Sequence, residues 1–330
     1  MAEPVAMAEL WRGGRLESVH LGHAAVASAE RVEEAWGDPG ALIYPRSSCK
    51  MIQALPLIES GAAEAHGLTP RHLALACASH QGARLHTDLV EEWLSGLGLG
   101  EADLRCGAHW PSDIPARDAL IKSDTKPCQI HNNCSGKHTG FLTLAKHLKA
   151  GPDYIDPAHP VQKAVKAAFE ETTGEATPGY GIDGCSAPNF ATSLTGLARA
   201  MATFASAKPE GVRGRAMVAL REAMTAHPDL VAGEGRACTA LMRAMGGRAA
   251  IKTGAEAVFV GIVPEKGLGI ALKIADGGTR AAELAIAALL VRLGLLDPAH
   301  PAALKYLNAP QRNWRGVETG ILRAAPGFPA

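Results

Sequence analysis

At 330 residues, 47% of them hydrophobic, the chain is long enough to bury a large core as one big domain or two small ones. Thirty-three Lys and Arg balance thirty-three Asp and Glu, so the general electrostatic pull toward nucleic acid or an anionic membrane is missing, and neither is expected as a partner. Met1–Arg12 carries Glu3 and Glu9 and shows no basic or apolar leader region. The most apolar helix-like run, Leu284–Val291, is too short to cross a bilayer. Seven cysteines form an odd set without a Cys-x-x-Cys pair, which predicts unbridged thiols in a reducing compartment, and the cytoplasm is the expected location.

No repeat, linker or charge block cuts the chain, so a single composite domain over residues 1–330 is predicted. Arg15–Ala27 and Ala41–Tyr44 are apolar runs between Gly-rich breaks and read as strands. The middle then turns helical, with spacing or punctuation for helices over Asp88–Leu97, Gly140–Leu148, Pro160–Thr172, Phe190–Ala205 and Val212–Ala226. Three extended runs follow, Ala249–Lys252, Ala257–Val263 and Leu268–Ala275, and a strong helix over Thr279–Leu293. Strands this close in sequence pair as hairpins, so the fold class predicted is α+β with a mostly antiparallel sheet built from both chain ends. The sheet part takes about residues 1–45 and 248–330 with a terminal helix, and a mainly helical part takes about 46–247.

Several residue sets can carry chemistry. Ser47-Ser48-Cys49-Lys50 precedes an apolar helical pattern, which puts Lys50 one turn beyond Ser47 on the same face. A serine becomes a nucleophile when a neighbouring neutral amine takes its proton, although a capping serine followed by a solvated lysine gives the same pattern. Lys252-Thr253-Gly254 ends an extended run, and a Lys-Thr-Gly strand downstream of Ser-x-x-Lys is the pairing used by class A β-lactamases and penicillin-binding proteins. The Ser-Asp-Asn of that scheme has only Ser123-Asp124-Thr125 here, between Lys122 and Lys126, which reads as a solvated turn. Ser79, where the apolar segment Leu73–Ala78 ends abruptly in Ser-His, is a better second serine. Cys134 and Lys137 fall three apart at a helix start. Two thiolates brought together, Cys134 and Cys185, would suit a soft divalent metal, although the spacing alone favours buried, inert cysteines.

Taken together, Tyr44-Pro45-Arg46-Ser47-Ser48-Cys49-Lys50, Ala78-Ser79-His80, the run from His131 to His138, the run from Gly181 to Cys185, and Lys252-Thr253-Gly254-Ala255-Glu256 resemble the rhizobial-type L-asparaginases. The resemblance spans Arg12 to Gly316. It implies a β-lactamase-like fold, hydrolysis of L-asparagine to L-aspartate and ammonia, and two Ser-Lys tandems, Ser47 with Lys50 and Ser79 with Lys252. It also implies a zinc position at Cys134, Lys137 and Cys185, with the ion not needed for the amide chemistry itself.

An unperturbed lysine has a pKa of about 10.4, so a base working near neutrality needs a depression of about three units, which burial and a second lysine supply together. A zwitterionic substrate needs a cation for its α-carboxylate and an anion for its α-ammonium, and Arg46 and Asp183 are the candidates, with His138 beside them; an ion pair of purely structural use is the alternative. A homodimer is the expected assembly. The rivals are a β-lactamase-like glutaminase or penicillin-recognising hydrolase and, outside enzymes, a cytoplasmic metal- or amino-acid-binding protein.

Overall fold

Strand formation begins where the apolar pattern changes from alternating to continuous. In Arg15–Ala27 the first three residues are exposed and Ser18–Gly22 alternate between more exposed and more buried, whereas Ala24–Ala27 is buried throughout, as expected for a segment covered on both faces. The strand pairs on one side with Val5–Arg12 and Val32–Trp36 and on the other with Leu268–Ile274. The computed structural model describes residues 2–330, and its main sheet comprises β1 (Val5–Arg12), β2 (Arg15–Ala27), β3 (Val32–Trp36), β4 (Ala250–Gly254), β5 (Val258–Val263), β6 (Leu268–Ile274), β7 (Ala309–Arg312) and β8 (Glu318–Ala324). The order is β7-β8-β1-β2-β6-β5-β4, every pairing is antiparallel, and β3 joins β2. Gly13 and Gly14 both take positive φ in the two-residue turn that registers Arg12 on Arg15, a conformation L-residues resist. The architecture is thus α+β, with an antiparallel sheet drawn from both chain ends.

By compactness the chain divides into two units. The sheet unit runs to Ser48, takes in Thr192–Ser206 and resumes over Ala240–Ala330. The helix Leu194–Ser206 therefore leaves the predicted helical span and packs on β6, β5 and β2. Gly269 permits this, because a Cβ there would collide with the backbone of Ala198 and Ala202. The predicted helix start at Phe190 is also displaced. Pro188–Phe190 and Thr192–Ser193 are extended, and the Ser193 hydroxyl accepts the Gly196 N–H at 2.9 Å as the helix begins.

The helical unit consists of Cys49–Ala191 and Ala207–Thr239. Its centre is the helix Ser135–His147, buried at every residue from Ser135 to Ala145. Gly136 lets this helix lie against Pro70–Ala76, since any side chain there would strike the Leu75 carbonyl. The helix Arg84–Gly96 begins four residues before the predicted Asp88, and Gly211–Ala226 and Pro160–Thr173 match the predicted spans closely. Among the described residues no disulfide forms, and no helix is long and apolar enough to cross a membrane.

Candidate active site

The helical unit gathers Lys50, Ser79 and Cys134 about one point. Ser79 lies three residues beyond Pro70–Ala76, a helix started by Pro70 at its first position and a Thr69–His72 capping box. The Ser79 N–H donates to Val231 O at 2.9 Å and the His80 N–H to Asn133 O at 3.2 Å, which fixes the segment between two others. Lys50 is buried, and its ammonium donates to Ala78 O, to Ser79 Oγ at 3.2 Å and to Cys134 Sγ at 3.1 Å. These three acceptors are all neutral, because the hydrogen bond from Cys134 to Cys185, together with burial, pushes the Cys134 thiol up to about 12.

One turn along, Lys137 Nζ donates to Cys185 Sγ at 3.0 Å inside the protein. Cys134, at the helix start, has its thiol 3.0 Å from Asn133 Oδ1, and its interaction with the Cys185 sulfur, together with the Lys137 charge, holds Cys185 well below the usual thiol range despite burial. Burial opposes the charge on Lys137, but Cys185 and Cys134 outweigh it and raise its pKa. Cys185 is carried by a turn in which Ser186 takes φ +68° and the Asp183 N–H donates to Ala187 O at 2.9 Å. The three residues predicted as metal ligands therefore do come together, as a thiolate, a thiol and an ammonium. Among the described residues no three His, Cys, Asp or Glu side chains cluster as a metal site, so the donor set reaches three only through Lys137.

Ser47 and Lys252 belong to the sheet unit. Arg46 takes φ +53°, a left-handed value that is costly for a residue with a Cβ, and the tight turn Arg46–Cys49 follows it into the short helix Lys50–Gln53. Ser48 is fully buried and spends its hydroxyl on Pro45 O at 2.7 Å, whereas Ser47 stays half-buried. A Cβ on Gly254 would meet Pro45 O at 2.6 Å and Ser48 N at 3.0 Å, so the end of the Lys-Thr-Gly strand lies directly against the serine turn and only glycine fits. Lys252 is fully buried and donates to Thr253 O at 2.6 Å.

Two histidines in the helical unit are held neutral, both chiefly by burial and then by neighbouring cationic groups. His80 Nε2 donates to Ser135 Oγ at 3.0 Å, since that hydroxyl gives its own proton to Ile130 O, and His80 Nδ1 accepts the Gly82 N–H at 3.2 Å. His80 thus ties the Ser79 segment to the start of the central helix. His138 bonds to Tyr154, a residue the sequence reading passed over. Ser123-Asp124-Thr125 is an exposed turn that hydrogen-bonds to itself, Ser123 Oγ to Thr125 Oγ1 at 3.0 Å.

A family model described as L-asparaginase II matches residues 8–324. No curated protein matches the chain. Among solved structures it is similar to a β-lactamase from Mycobacterium bovis, with 14% identity over 83% of this chain and 95% of that one and a TM-score of 0.44. An octameric penicillin-binding protein homologue from Pyrococcus abyssi matches 93% of this chain and 84% of its own at 12% identity, with a TM-score of 0.39.

Proposed function

The chain belongs to the L-asparaginase II family, and from that premise we propose how its own residues hydrolyse L-asparagine to L-aspartate and ammonia. Ser47 Oγ attacks the side-chain amide carbon while the Lys50 amine takes its proton. The C–N bond then breaks as the leaving nitrogen receives a proton through Ser79, with Lys252 completing the second tandem, and ammonia departs. Water adds to the resulting aspartyl ester of Ser47, its proton returns along the same path, and L-aspartate is released. A neutral Lys50 can keep one N–H on Ala78 O and turn its lone pair to a hydroxyl; the hydroxyl it contacts here is that of Ser79, so its pairing with Ser47 belongs to the proposal.

The observation that carries this reading is Lys50, a buried lysine 3.2 Å from a second-motif serine with no carboxylate partner. A structural lysine this deep normally faces an anion. Arg46 is assigned to the substrate α-carboxylate, Asp183 to its α-ammonium and His138 to a substrate oxygen, with charge complementarity as the support.

Cys134, Lys137 and Cys185 offer two soft sulfurs and an amine, a donor set that fits zinc once Cys134 and Lys137 release their protons. When bound there the ion would supply Lewis acidity and a fixed positive charge beside the substrate site. We assign the protein to the cytoplasm, on its unbridged cysteines, and to a homodimer.

The test is ammonia release from L-asparagine by the parent and by Ser47→Ala and Ser79→Ala. Loss of about three or more orders of magnitude in Ser47→Ala is expected, and activity within about tenfold of the parent would move the nucleophile to Ser79 or to water.

A further inference from the structure

Tyr154 is fully buried, its ring edge-on to His138 and tilted against Phe141. Its hydroxyl accepts the Arg105 N–H at 2.7 Å and lies 2.9 Å from His138 Nδ1. A phenol has one proton to give, and the distribution of protons decides the tautomer of the imidazole. If Tyr154 donates to Nδ1, the ring carries its hydrogen on Nε2, and one group is left unpaired. If Nδ1–H donates to the phenol, the Tyr154 proton and the Nε2 lone pair are both stranded. The first arrangement leaves fewer orphaned groups and is the one a buried site selects.

The group that remains is His138 Nε2, sealed from solvent and without a partner among the described residues. Native interiors rarely leave such a donor empty; they reserve it for a bound water or a ligand atom. The ionisable groups nearest this ring include Lys137, Cys134, Lys50 and Asp183, residues of the site just described. An Nε2 that bears hydrogen cannot ligate a metal, so the donor is free for an oxygen.

We propose that Tyr154 is a positioning residue that locks His138 in the Nε2–H tautomer, so that a buried N–H donor faces an amide or carboxylate oxygen of the bound substrate. The proposal rests on the substrate role assigned to His138 above. It adds that the backbone N–H of Arg105, through Tyr154, sets the polarity of the site.

The experiment is nitrogen-15 NMR of histidine-labelled protein, with the His138 signals assigned by their loss in His138→Gln. The parent should show protonated Nε2 and bare Nδ1, and the Nε2 signal should move when L-aspartate is added. Tyr154→Phe keeps the ring but deletes the donor. It should give mixed tautomers and a KM for asparagine raised about tenfold, with kcat within about threefold, as expected when a ground-state contact is weakened. In a His138→Gln background, where an amide donor does not depend on Tyr154, the same change should leave KM unaltered. An unchanged tautomer in Tyr154→Phe, an Nε2 signal indifferent to aspartate, or an equal KM penalty in both backgrounds overturns the proposal. Should Tyr154→Phe not fold, the aspartate titration of the parent decides alone. A parent that releases no ammonia from asparagine would refute the activity, while the tautomer and its dependence on Tyr154 would still be read directly.

Discussion

Lys137→Met isolates the ammonium–thiolate pair at the heart of the helical unit. Methionine matches the length of the lysine stem, so little cavity opens, and what is lost is the charge. The Lys137–Cys185 contact is 3.0 Å long and buried, and removing one partner of a buried pair costs about 3–5 kcal/mol because the other is left uncompensated. Cys185 recovers part of this by taking up a proton, while the cation–π contact with the Phe141 ring, 5.4 Å away, is also lost. A net loss of about 3 kcal/mol follows. At about 2–4 °C per kcal/mol for a unit of about 150–250 residues, Tm should fall by about 6–12 °C. The sign with pH is fixed by the two shifts. Cys185 titrates below its unfolded value, so its contribution is complete above that value, near pH 9, and fades as pH falls toward the folded one. Lys137 titrates above its unfolded value, so its share holds until pH rises past the ordinary lysine range. Stability of metal-free parent should therefore climb from pH 7 to 9, and the climb should flatten in Lys137→Met. Thiolate absorbance near 240 nm, recorded at neutral pH in metal-free protein, should show one thiolate in the parent and none in the variant. A variant that keeps the thiolate, or loses less than about 1 kcal/mol, would refute the ion-pair reasoning.

The remaining predictions concern protons. His80 and His138 are neutral in the fold with depressed pKa values, so below about pH 6.5 the unfolded chain takes up protons that the fold refuses, and stability should fall by up to about 1.4 kcal/mol per pH unit for each. A Tm that stays level from pH 7 to 5 would mean that both rings charge in place. Zinc binding must expel protons from Cys134 and Lys137, so its apparent affinity should rise by up to about 100-fold per pH unit; calorimetry in buffers of different ionisation enthalpy counts the protons, and a count of zero places the ion elsewhere.

The parts of this site were legible as residue types. Ser-x-x-Lys and Lys-Thr-Gly offer a candidate nucleophile and bases by side-chain type, whereas Cys134, Lys137 and Cys185 stood out as a set only through the family resemblance. Partnership was less legible. Nothing near Lys50 says that its head group reaches Ser79, 29 residues on, or Cys134, 84 residues on. That pairing depends on Gly136 admitting the Leu75 carbonyl, a contact between two helices whose only sequence trace is a glycine in a polar run. Val5–Arg12 is a strand partnered on one side by its hairpin neighbour and on the other by the last strand, Glu318–Ala324, more than three hundred positions away, so its order does not show in its own alternation. Tyr154 left no signal, since a lone tyrosine in an Asp- and Pro-rich loop shows neither period nor motif.

The two buried lysines of the helical unit show why geometry had to arbitrate. Each follows a serine or cysteine by three positions, Ser47 to Lys50 and Cys134 to Lys137, although only Lys50 is expected as a base and Lys137 as a metal ligand. In the folded chain Lys137 faces a thiolate, which favours its proton and commits it to an ion pair. Lys50 faces a carbonyl, a hydroxyl and a thiol, none of them anionic, so no opposite charge has to be abandoned when its proton leaves. A general base has to cycle between charged and neutral forms at each turnover, and an ion pair penalises every such cycle. The division of labour therefore follows from which sulfur keeps its proton. Cys185, held well below the usual thiol range, pairs with Lys137, whereas Cys134, pushed up to about 12, keeps its proton beside Lys50, the residue proposed as the base.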